Sequence, residues 1–501
     1  MKAISEIVAM MGTEEQQRFL NYQKQKNKRS HTHNTKLFKL LASGNSKKSA
    51  VLKIYGEENT NAYNALNKRL LDNLLEFIAI EGFKNDASSE MELMKMLLTG
   101  RILLKQQLYK TGFKLLKKVI QKSEALELFG LAAEAYHNYI EYLHKDTANY
   151  KNELIEKAQV NLSKFQETEK LHLNFALFRK SLSENPNNEQ LESLSMLLNR
   201  FFGDATQLQQ SFTYKTLFQL MDTCNEYASL YQEFYAITPF MKKIYDTISQ
   251  KEHLSDHHLF YHIQVVYMMA NLYFRNKDFT TSLYYLEKMN HLMQQQNSSY
   301  QKRFALKYGL LKSLNFHYNG QIKKAITIAE SKLSQIKNPE IADHSNLLLA
   351  LAMYYFHLKN TNKVSSILRY WHRTDAWYIK HLGVEWTAKK NMFEIIFHVE
   401  KENREYALSR IKSFKKRFKP YLNKLTNASV FLRLIEKHIQ NPENTQTEAF
   451  ALYAEKSIVW KEQDQEDIFV MNSYAWLKSK MTATDLSEVL KNLIASSTKK
   501  H

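Results

Sequence analysis

Apolar residues recur along this chain every three or four positions, which is the period of a helix with one buried face. Residues 60–82 show the pattern clearly, with apolar side chains at Tyr63, Leu66, Leu70, Leu74 and Phe77. Similar segments follow through the sequence, separated by short polar stretches. The chain holds only 11 glycines, and tight turns between strands depend on glycine. The pattern therefore predicts an all-α fold.

From about residue 86 the helical segments come in pairs, each joined by a short polar hinge such as residues 275–278. A small residue lies early in the second helix of four pairs, at steps of 43, 40 and 42 residues, at Ser282, Ala325, Ser365 and Ala407. The residues expected to pack into the gap beside them are Tyr273, Phe316, Phe356 and His398. Such a period predicts stacked helical hairpins, because a single hairpin cannot bury its own apolar face.

These hairpins resemble tetratricopeptide repeats, which place an aromatic residue late in the first helix and alanine early in the second. The resemblance is carried by YFRNKDFTTSL and FHYNGQIKKAI, through Tyr273, Asp278, Phe279, Gly320 and Ala325. The steps are longer than the family period of about 34 residues, so the helices or loops are extended. The resemblance implies a solenoid whose concave groove binds a protein or peptide.

The sequence divides into three predicted parts. Residues 1–85 are a basic helical head of four helices, residues 86–440 are the tetratricopeptide-repeat-like (TPR-like) array, and residues 441–501 are capping helices. A repeat array needs such a cap to cover its last apolar face. We therefore expect an all-α, TPR-like helical-hairpin solenoid with an N-terminal basic helical head.

The cysteine count and the net charge bear on the cellular compartment and the kinds of partner expected for the protein. The only cysteine is Cys224, which excludes an intrachain disulfide and a cysteine-based zinc site. A chain of this length without disulfides fits a reducing cytoplasm, and the longest apolar run, residues 347–356, is too short to cross a bilayer. We therefore expect a cytoplasmic protein with no membrane partner. The formal charge of +19 favours acidic or phosphate-rich partners, although a lysine-rich coding background gives the same excess.

The head carries the most one-sided charge, because no acidic residue occurs between Glu15 and Glu57. The candidate nucleic-acid-binding residues are Lys24, Lys26, Lys28, Arg29, Lys36, Lys39, Lys47 and Lys48. On the long helix that follows, Asn61, Asn64 and Lys68 share an outer face, and asparagine can pair with adenine. Short helices before a longer one resemble a helix-turn-helix DNA reader. The alternative is a solvated basic surface on a helical bundle.

A second candidate site lies at residues 369–386, which hold three of the five tryptophans. Aromatic residues beside arginine and lysine are typical of binding hot spots. The candidate partner-binding residues are Arg369, Trp371, Arg373, Trp377 and Lys380. The alternative is that these aromatics form core between neighbouring hairpins. A basic run at residues 409–424 is either a solvated convex face or a docking surface for an acidic partner.

The sequence contains no nucleotide-binding loop of the GxGxxG or GxxxxGK[ST] type and no GxSxG motif. His253, His257, His258 and His262 form two i,i+4 pairs, but no third ligand is evident nearby, so we expect no metal site and no cofactor. We therefore predict a non-catalytic scaffold or adaptor that binds an acidic protein or peptide. The alternative is a nucleic-acid-associated regulator whose head contacts DNA or RNA.

Overall fold

A computed structural model describes residues 4, 7, 8, 11–26, 33–43, 47–56, 60–85, 88–146, 151–184, 194–202, 212–231, 234–298, 300–336, 339–420, 428–458 and 468–498. Across these residues the secondary structure is helical, with no strand. The predicted all-α class is therefore confirmed. Within the described ranges, no helix is long and apolar enough to cross a membrane.

The chain forms two compact units, residues 1–165 and 166–501. Between residues 13 and 165, the described part of the first unit contains seven α-helices and the beginning of an eighth, which ends in the second unit. These helices are α1 (Thr13–Lys26), α2 (His33–Ala42), α3 (Lys47–Tyr55), α4 (Thr60–Asn85), α5 (Ser89–Lys105), α6 (Tyr109–Ala125), α7 (Phe129–Glu141) and α8 (Lys151–Glu184).

Helices α1 to α4 share a core within the first unit. It is built around Phe19 of α1, Phe38 of α2 and the predicted apolar face of α4, all of them buried. The rings of Phe19 and Phe38 lie 4.6 Å apart and those of Phe19 and Phe77 lie 5.3 Å apart. The four predicted head helices are confirmed, and they are held together by burial of these aromatic rings.

Helices α5 and α6 approach each other closely through two glycines. A Cβ on Gly112 would lie 2.8 Å from Leu104 Cδ2, and a Cβ on Gly100 would lie 2.8 Å from Leu116 Cδ2. Both leucines are buried. Gly112 therefore allows the second helix of this pair to lie close against the first.

The second unit contains the end of α8 and sixteen further α-helices among its described residues. They are α9 (Leu194–Phe202), α10 (Tyr214–Tyr231), α11 (Phe234–Gln250), α12 (Leu259–Arg275), α13 (Phe279–Ser298), α14 (Gln301–Tyr318), α15 (Ile322–Gln335), α16 (Ile341–His357), α17 (Thr361–Tyr370), α18 (Asp375–Leu382), α19 (Val384–Glu400), α20 (Arg404–Phe418), α21 (Ala428–Gln440), α22 (Glu448–Ser457), α23 (Ile468–Thr482) and α24 (Leu486–Thr498). Helices that follow one another pack against each other, notably α12 with α13, α14 with α15 and α19 with α20.

Four of these helix pairs turn with the same backbone geometry. The second residue after the end of the first helix has a positive φ, at Lys277, Gly320, Lys359 and Glu402. Its N–H and the next N–H bond back to carbonyls near the helix end, as in Lys277 to Phe274 (3.0 Å) and Asp278 to Tyr273 (2.9 Å). This pair of hydrogen bonds closes the helix end, and the positive-φ residue adopts the left-handed conformation that glycine usually supplies. The four positions are spaced by 43, 39 and 43 residues.

The small residues predicted in the second helices are buried at three of the four positions, namely Ser282, Ala325 and Ala407. The hydroxyl of Ser282 donates to the carbonyl oxygen of Ala270 at 2.7 Å. Tyr273, which the sequence predicts to pack beside Ser282, stacks on Tyr285 with ring centroids 5.5 Å apart.

Helices α23 and α24 complete the core of the second unit. Met471, Ala475, Val489, Leu490 and Ile494 belong to the same buried cluster as residues of α12 to α19. Asn472 donates a hydrogen bond to the hydroxyl of Tyr318, and Trp476 Nε1 donates to Glu400 Oε1 at 2.6 Å.

Candidate functional site: a basic cleft

A cleft of about 590 Å³ opens between α17, α18, α19 and α20. Its volume lies within the range of small-ligand sites. Residues of the turn before α18 and of the turn before α20 contribute to its lining. Its lining is dominated by charged and aromatic side chains, among them Arg369, Trp371, Arg373, Asp375, Lys390, Glu394, Phe397, His398, Lys401, Tyr406, Arg410 and Arg417.

A buried lysine and two carboxylates form the floor of the cleft. Lys390 is only 3% exposed, and its Nζ lies 2.8 Å from Glu394 Oε1 and 3.8 Å from Asp375 Oδ1. Lys390 and Glu394 are one turn apart on α19, so the helix itself brings them together. The ring of Tyr378 lies 5.3 Å from the same ammonium. Buried charges persist only when they are paired, and this lysine is paired twice.

Two arginines of α20 complete the pairing of the floor. Arg410 binds Glu394 and also donates to Asn391 Oδ1 at 2.6 Å, and Arg417 binds Asp375. Burial by itself would raise the pKa of Asp375. The hydrogen bond from Asn391 and the charges of Lys390 and Arg417 outweigh it and hold the pKa below its usual value. The carboxylate of Asp375 is therefore ionised at neutral pH.

The rim of the cleft carries three exposed cations, Arg369, Arg373 and Lys401. Among the residues that the structure describes, no carboxylate lies within 4.0 Å of them. The guanidinium of Arg373 lies 5.8 Å from the ring centroid of Trp377, and Lys401 Nζ lies 5.5 Å from that of Phe397. Cation–π contacts of this kind orient a charge without neutralising it.

His398 lies on the wall formed by α19. Burial lowers its pKa, and the charges of Arg410 and Lys401 lower it further against the opposing effect of Glu394. A histidine with a lowered pKa is neutral at pH 7, so this side chain adds hydrogen-bonding capacity to the wall and no charge.

Trp371 is part of the protein core as well as of the cleft lining. Its side chain is 7% exposed and packs edge-on against Trp386, with ring centroids 6.0 Å apart. Its indole Nε1 is buried and has no hydrogen-bond partner among the described residues. Trp386 is buried too, and Tyr378 packs against it at 5.5 Å. These aromatics therefore belong largely to the protein core, which was the alternative to a binding site in the sequence analysis.

The cleft brings together three of the five predicted partner-binding residues, namely Arg369, Trp371 and Arg373. Trp377 is half-buried beneath Arg373 and stacks on His381 at 4.2 Å, and Lys380 is exposed elsewhere on α18. Of the predicted basic run, Arg410 and Arg417 line the cleft, and Lys415 pairs with Glu436 at 2.6 Å.

Sequence reasoning missed Asp375, Lys390 and Glu394. A signal for them exists in the sequence, because Lys390 and Glu394 interrupt the apolar face of α19 at helical spacing. A lysine and a glutamate that share one turn of an otherwise apolar face indicate a buried ion pair.

The predicted nucleic-acid-binding residues lie in different surroundings. Lys24, Lys36 and Lys39 are exposed, whereas Lys26 pairs with Glu76 of α4. Arg18 is likewise paired, with Glu81 at 2.8 Å. Lys28 and Arg29 lie outside the described residues. Lys47 and Lys48 lie on α3, and the described part of the structure does not include their side chains.

The histidine cluster is partly buried against α10. The hydroxyl of Tyr214 is hydrogen-bonded to His262 Nδ1, and the ring of His258 stacks on Tyr214 at 4.9 Å. Burial and the charge of Lys288 lower the pKa of His262 to about 4. Within the described ranges, no three or more histidine, cysteine, aspartate or glutamate side chains are arranged to hold a metal ion.

Comparison with known proteins identifies no relative of this chain. No family model matches it, and neither the curated proteins nor the solved structures contain a significant match.

Proposed function

We propose that this protein is a non-catalytic scaffold that binds an acidic protein or peptide partner. The observation that carries the proposal is the cleft between α17 and α20, where six cationic side chains face only two carboxylates. The carboxylates are already paired with Lys390, Arg410 and Arg417. The positive charge of the rim is therefore left for a ligand, and its electrostatic field attracts acidic groups.

We further propose that the helix pairs form a TPR-like array. Support comes from the four turns with the same left-handed geometry at nearly constant spacing, from Lys277 to Glu402. It also comes from the buried small residues of the second helices. Arrays of this kind bind partners along an extended groove, and the basic cleft would then be one segment of the partner-binding surface.

Affinity capture from a native lysate tests the scaffold proposal. In a nuclease-treated lysate, the charge-reversed variant Arg369→Glu/Arg373→Glu should fail to capture protein partners that the wild-type chain retains. Lys380→Ala is the matched control, because Lys380 is an exposed cation outside the cleft lining. Identical capture by the wild-type and charge-reversed chains would reject the cleft as the binding site.

A nucleic-acid-associated regulator is the second candidate function. The observation that favours it is the group of exposed lysines on α1 and α2, Lys24, Lys36 and Lys39, together with the exposed Asn64 and Lys68 on α4. Exposed lysines of this kind bind phosphates without reading sequence. Deletion of residues 1–85 should abolish retention on immobilised DNA and leave protein partners of the cleft bound.

A further inference from the structure

We propose that the basic cleft binds a phosphoryl group on a side chain of the partner, so that the protein binds phosphopeptides. This inference rests on the proposed function and adds the chemistry of the ligand. It is drawn from the charge balance of the cleft, from the three unpaired cations of its rim, and from the paired, buried charges of its floor.

The charge balance of the cleft favours an anion with more than one charge. Six cationic side chains and two carboxylates leave an excess of four positive charges in about 590 Å³. A carboxylate ligand would neutralise one of these charges. A phosphate monoester carries between one and a half and two negative charges at pH 7, and it offers three strong acceptor oxygens.

The rim supplies one cation from each of three chain segments. Arg369 comes from the end of α17, Arg373 from the turn before α18, and Lys401 from the turn before α20. Three cations that line one cleft from separate segments suit a tetrahedral group with three terminal oxygens. A planar carboxylate is fully bound by a single bidentate arginine.

The rim cations are exposed, which makes the charge of the ligand decisive. Exposed pairs between single charges contribute little, because water screens them and the long side chains lose freedom. Arg373 is already oriented by the face of Trp377, and this contact leaves its N–H groups free in the plane of the guanidinium. A dianion gains several charge-assisted hydrogen bonds here, whereas a glutamate gains one or two.

The floor fixes the cleft in place without consuming the rim charges. Lys390 and Asp375 are each more than nine-tenths buried, and Asp375 and Glu394 hold Arg417 and Arg410 in position. The side chains beneath the ligand are therefore pre-organised, which reduces the entropy lost on binding. A cleft of this volume accommodates one or two side chains of a peptide.

The test compares three fluorescent peptide libraries that differ only at a fixed central residue, which is phosphothreonine, threonine or glutamate. Fluorescence polarisation with the full chain measures their affinities. We expect the phosphothreonine library to bind about tenfold more tightly than the glutamate library, and the threonine library to bind weakest. The Arg369→Ala/Arg373→Ala variant should lose this preference, and Lys380→Ala should keep it.

A second variant separates charge from hydrogen-bond geometry. Arg369→Lys/Arg373→Lys keeps both charges but loses the bidentate fork, so we expect it to retain weakened phosphopeptide binding. It also serves if the alanine variant has a lowered melting temperature. A phosphothreonine preference that neither double variant changes would place the site elsewhere and overturn the inference.

The remaining outcomes distinguish this inference from the proposed function. Equal binding of the glutamate and phosphothreonine libraries overturns phosphoryl recognition and leaves the acidic-peptide scaffold standing. If none of the libraries binds, both phosphoryl recognition and the acidic-peptide scaffold are rejected. Displacement of the phosphopeptide by an equimolar single-stranded oligothymidylate would show that the cleft takes the nucleic-acid backbone, and would overturn the peptide assignment.

Discussion

The guanidinium of Arg417 forms an ion pair with the buried carboxylate of Asp375, which precedes it by 42 residues in the chain. The two partners differ in exposure, since the Asp375 side chain is 7% exposed and that of Arg417 is 49% exposed. Removal of the aspartate charge leaves Lys390 with less compensation inside the protein, whereas removal of the arginine leaves a carboxylate that still has two other partners.

Asp375→Asn should therefore destabilise the protein more than Arg417→Gln. We expect a loss of about 3 kcal/mol in the free energy of unfolding for the aspartate variant, and of about 1 kcal/mol or less for the arginine variant. Urea unfolding followed by circular dichroism measures both. Equal losses would mean that Lys390 is compensated by Glu394 alone.

Burial of His262 predicts a pH-dependent stability. Its folded pKa of about 4 is below the usual value for histidine, so the unfolded state binds the proton more readily between these two values. Stability is therefore fully present above about pH 6.5 and falls as the pH approaches 4, by roughly 3 kcal/mol from this residue. His262→Gln should flatten this part of the stability profile.

The control for the pH measurement is His253→Gln, because His253 is exposed. Its profile should follow that of the wild-type protein. A His262→Gln protein that loses as much stability as the wild type between pH 6.5 and pH 4 would contradict the assignment, and would leave other histidines with a lowered pKa, such as His317 and His357, as the cause.

Two buried tryptophans differ in one hydrogen bond and form a matched pair. The indole N–H of Trp476 donates to Glu400 at 2.6 Å, whereas that of Trp371 has no partner among the described residues. Trp476→Phe should cost about 1.5 kcal/mol more than Trp371→Phe in thermal or urea unfolding, because only the first loses a hydrogen bond to a charged group. An equal cost would indicate an acceptor for Trp371, such as a bound water.

The head offers a test of the nucleic-acid alternative through salt dependence. Binding to duplex DNA should weaken with salt by a slope of about −0.9 in log K per phosphate contact. Lys24→Ala/Lys36→Ala/Lys39→Ala should remove about three such contacts. Lys26→Ala is the control and should change the slope less, because Lys26 already pairs with Glu76. A slope near zero for the wild-type protein would reject the alternative.

The helical period of the sequence predicted the helices well because each depends on contacts within one segment. The face of α4 from Tyr63 to Phe77 is buried as its spacing indicated. The hinge after Arg275 is a turn closed by local hydrogen bonds to the preceding helix. The turn at polar hinge residues such as Lys277 can be predicted from the sequence, because its conformation depends on the few residues that form it.

The cleft could be predicted only in part. Arg369, Trp371 and Arg373 were indicated because arginine beside tryptophan is a local signal. The pairing of Asp375 with Arg417 spans two helices, and the hydrogen bond of Arg410 to Asn391 does so too. These contacts depend on how α18, α19 and α20 pack, which periodicity does not specify.

The position of α23 and α24 bears on when the protein can fold during synthesis. Met471, Ala475 and Leu490 fill the core between helices that are made more than a hundred residues earlier, such as α14. A ribosome therefore releases most of the second unit before the side chains that close its core have emerged. During that interval the apolar side chains that Met471, Ala475 and Leu490 cover in the folded protein are open to solvent, and exposed apolar surface of this kind makes a nascent chain prone to aggregation.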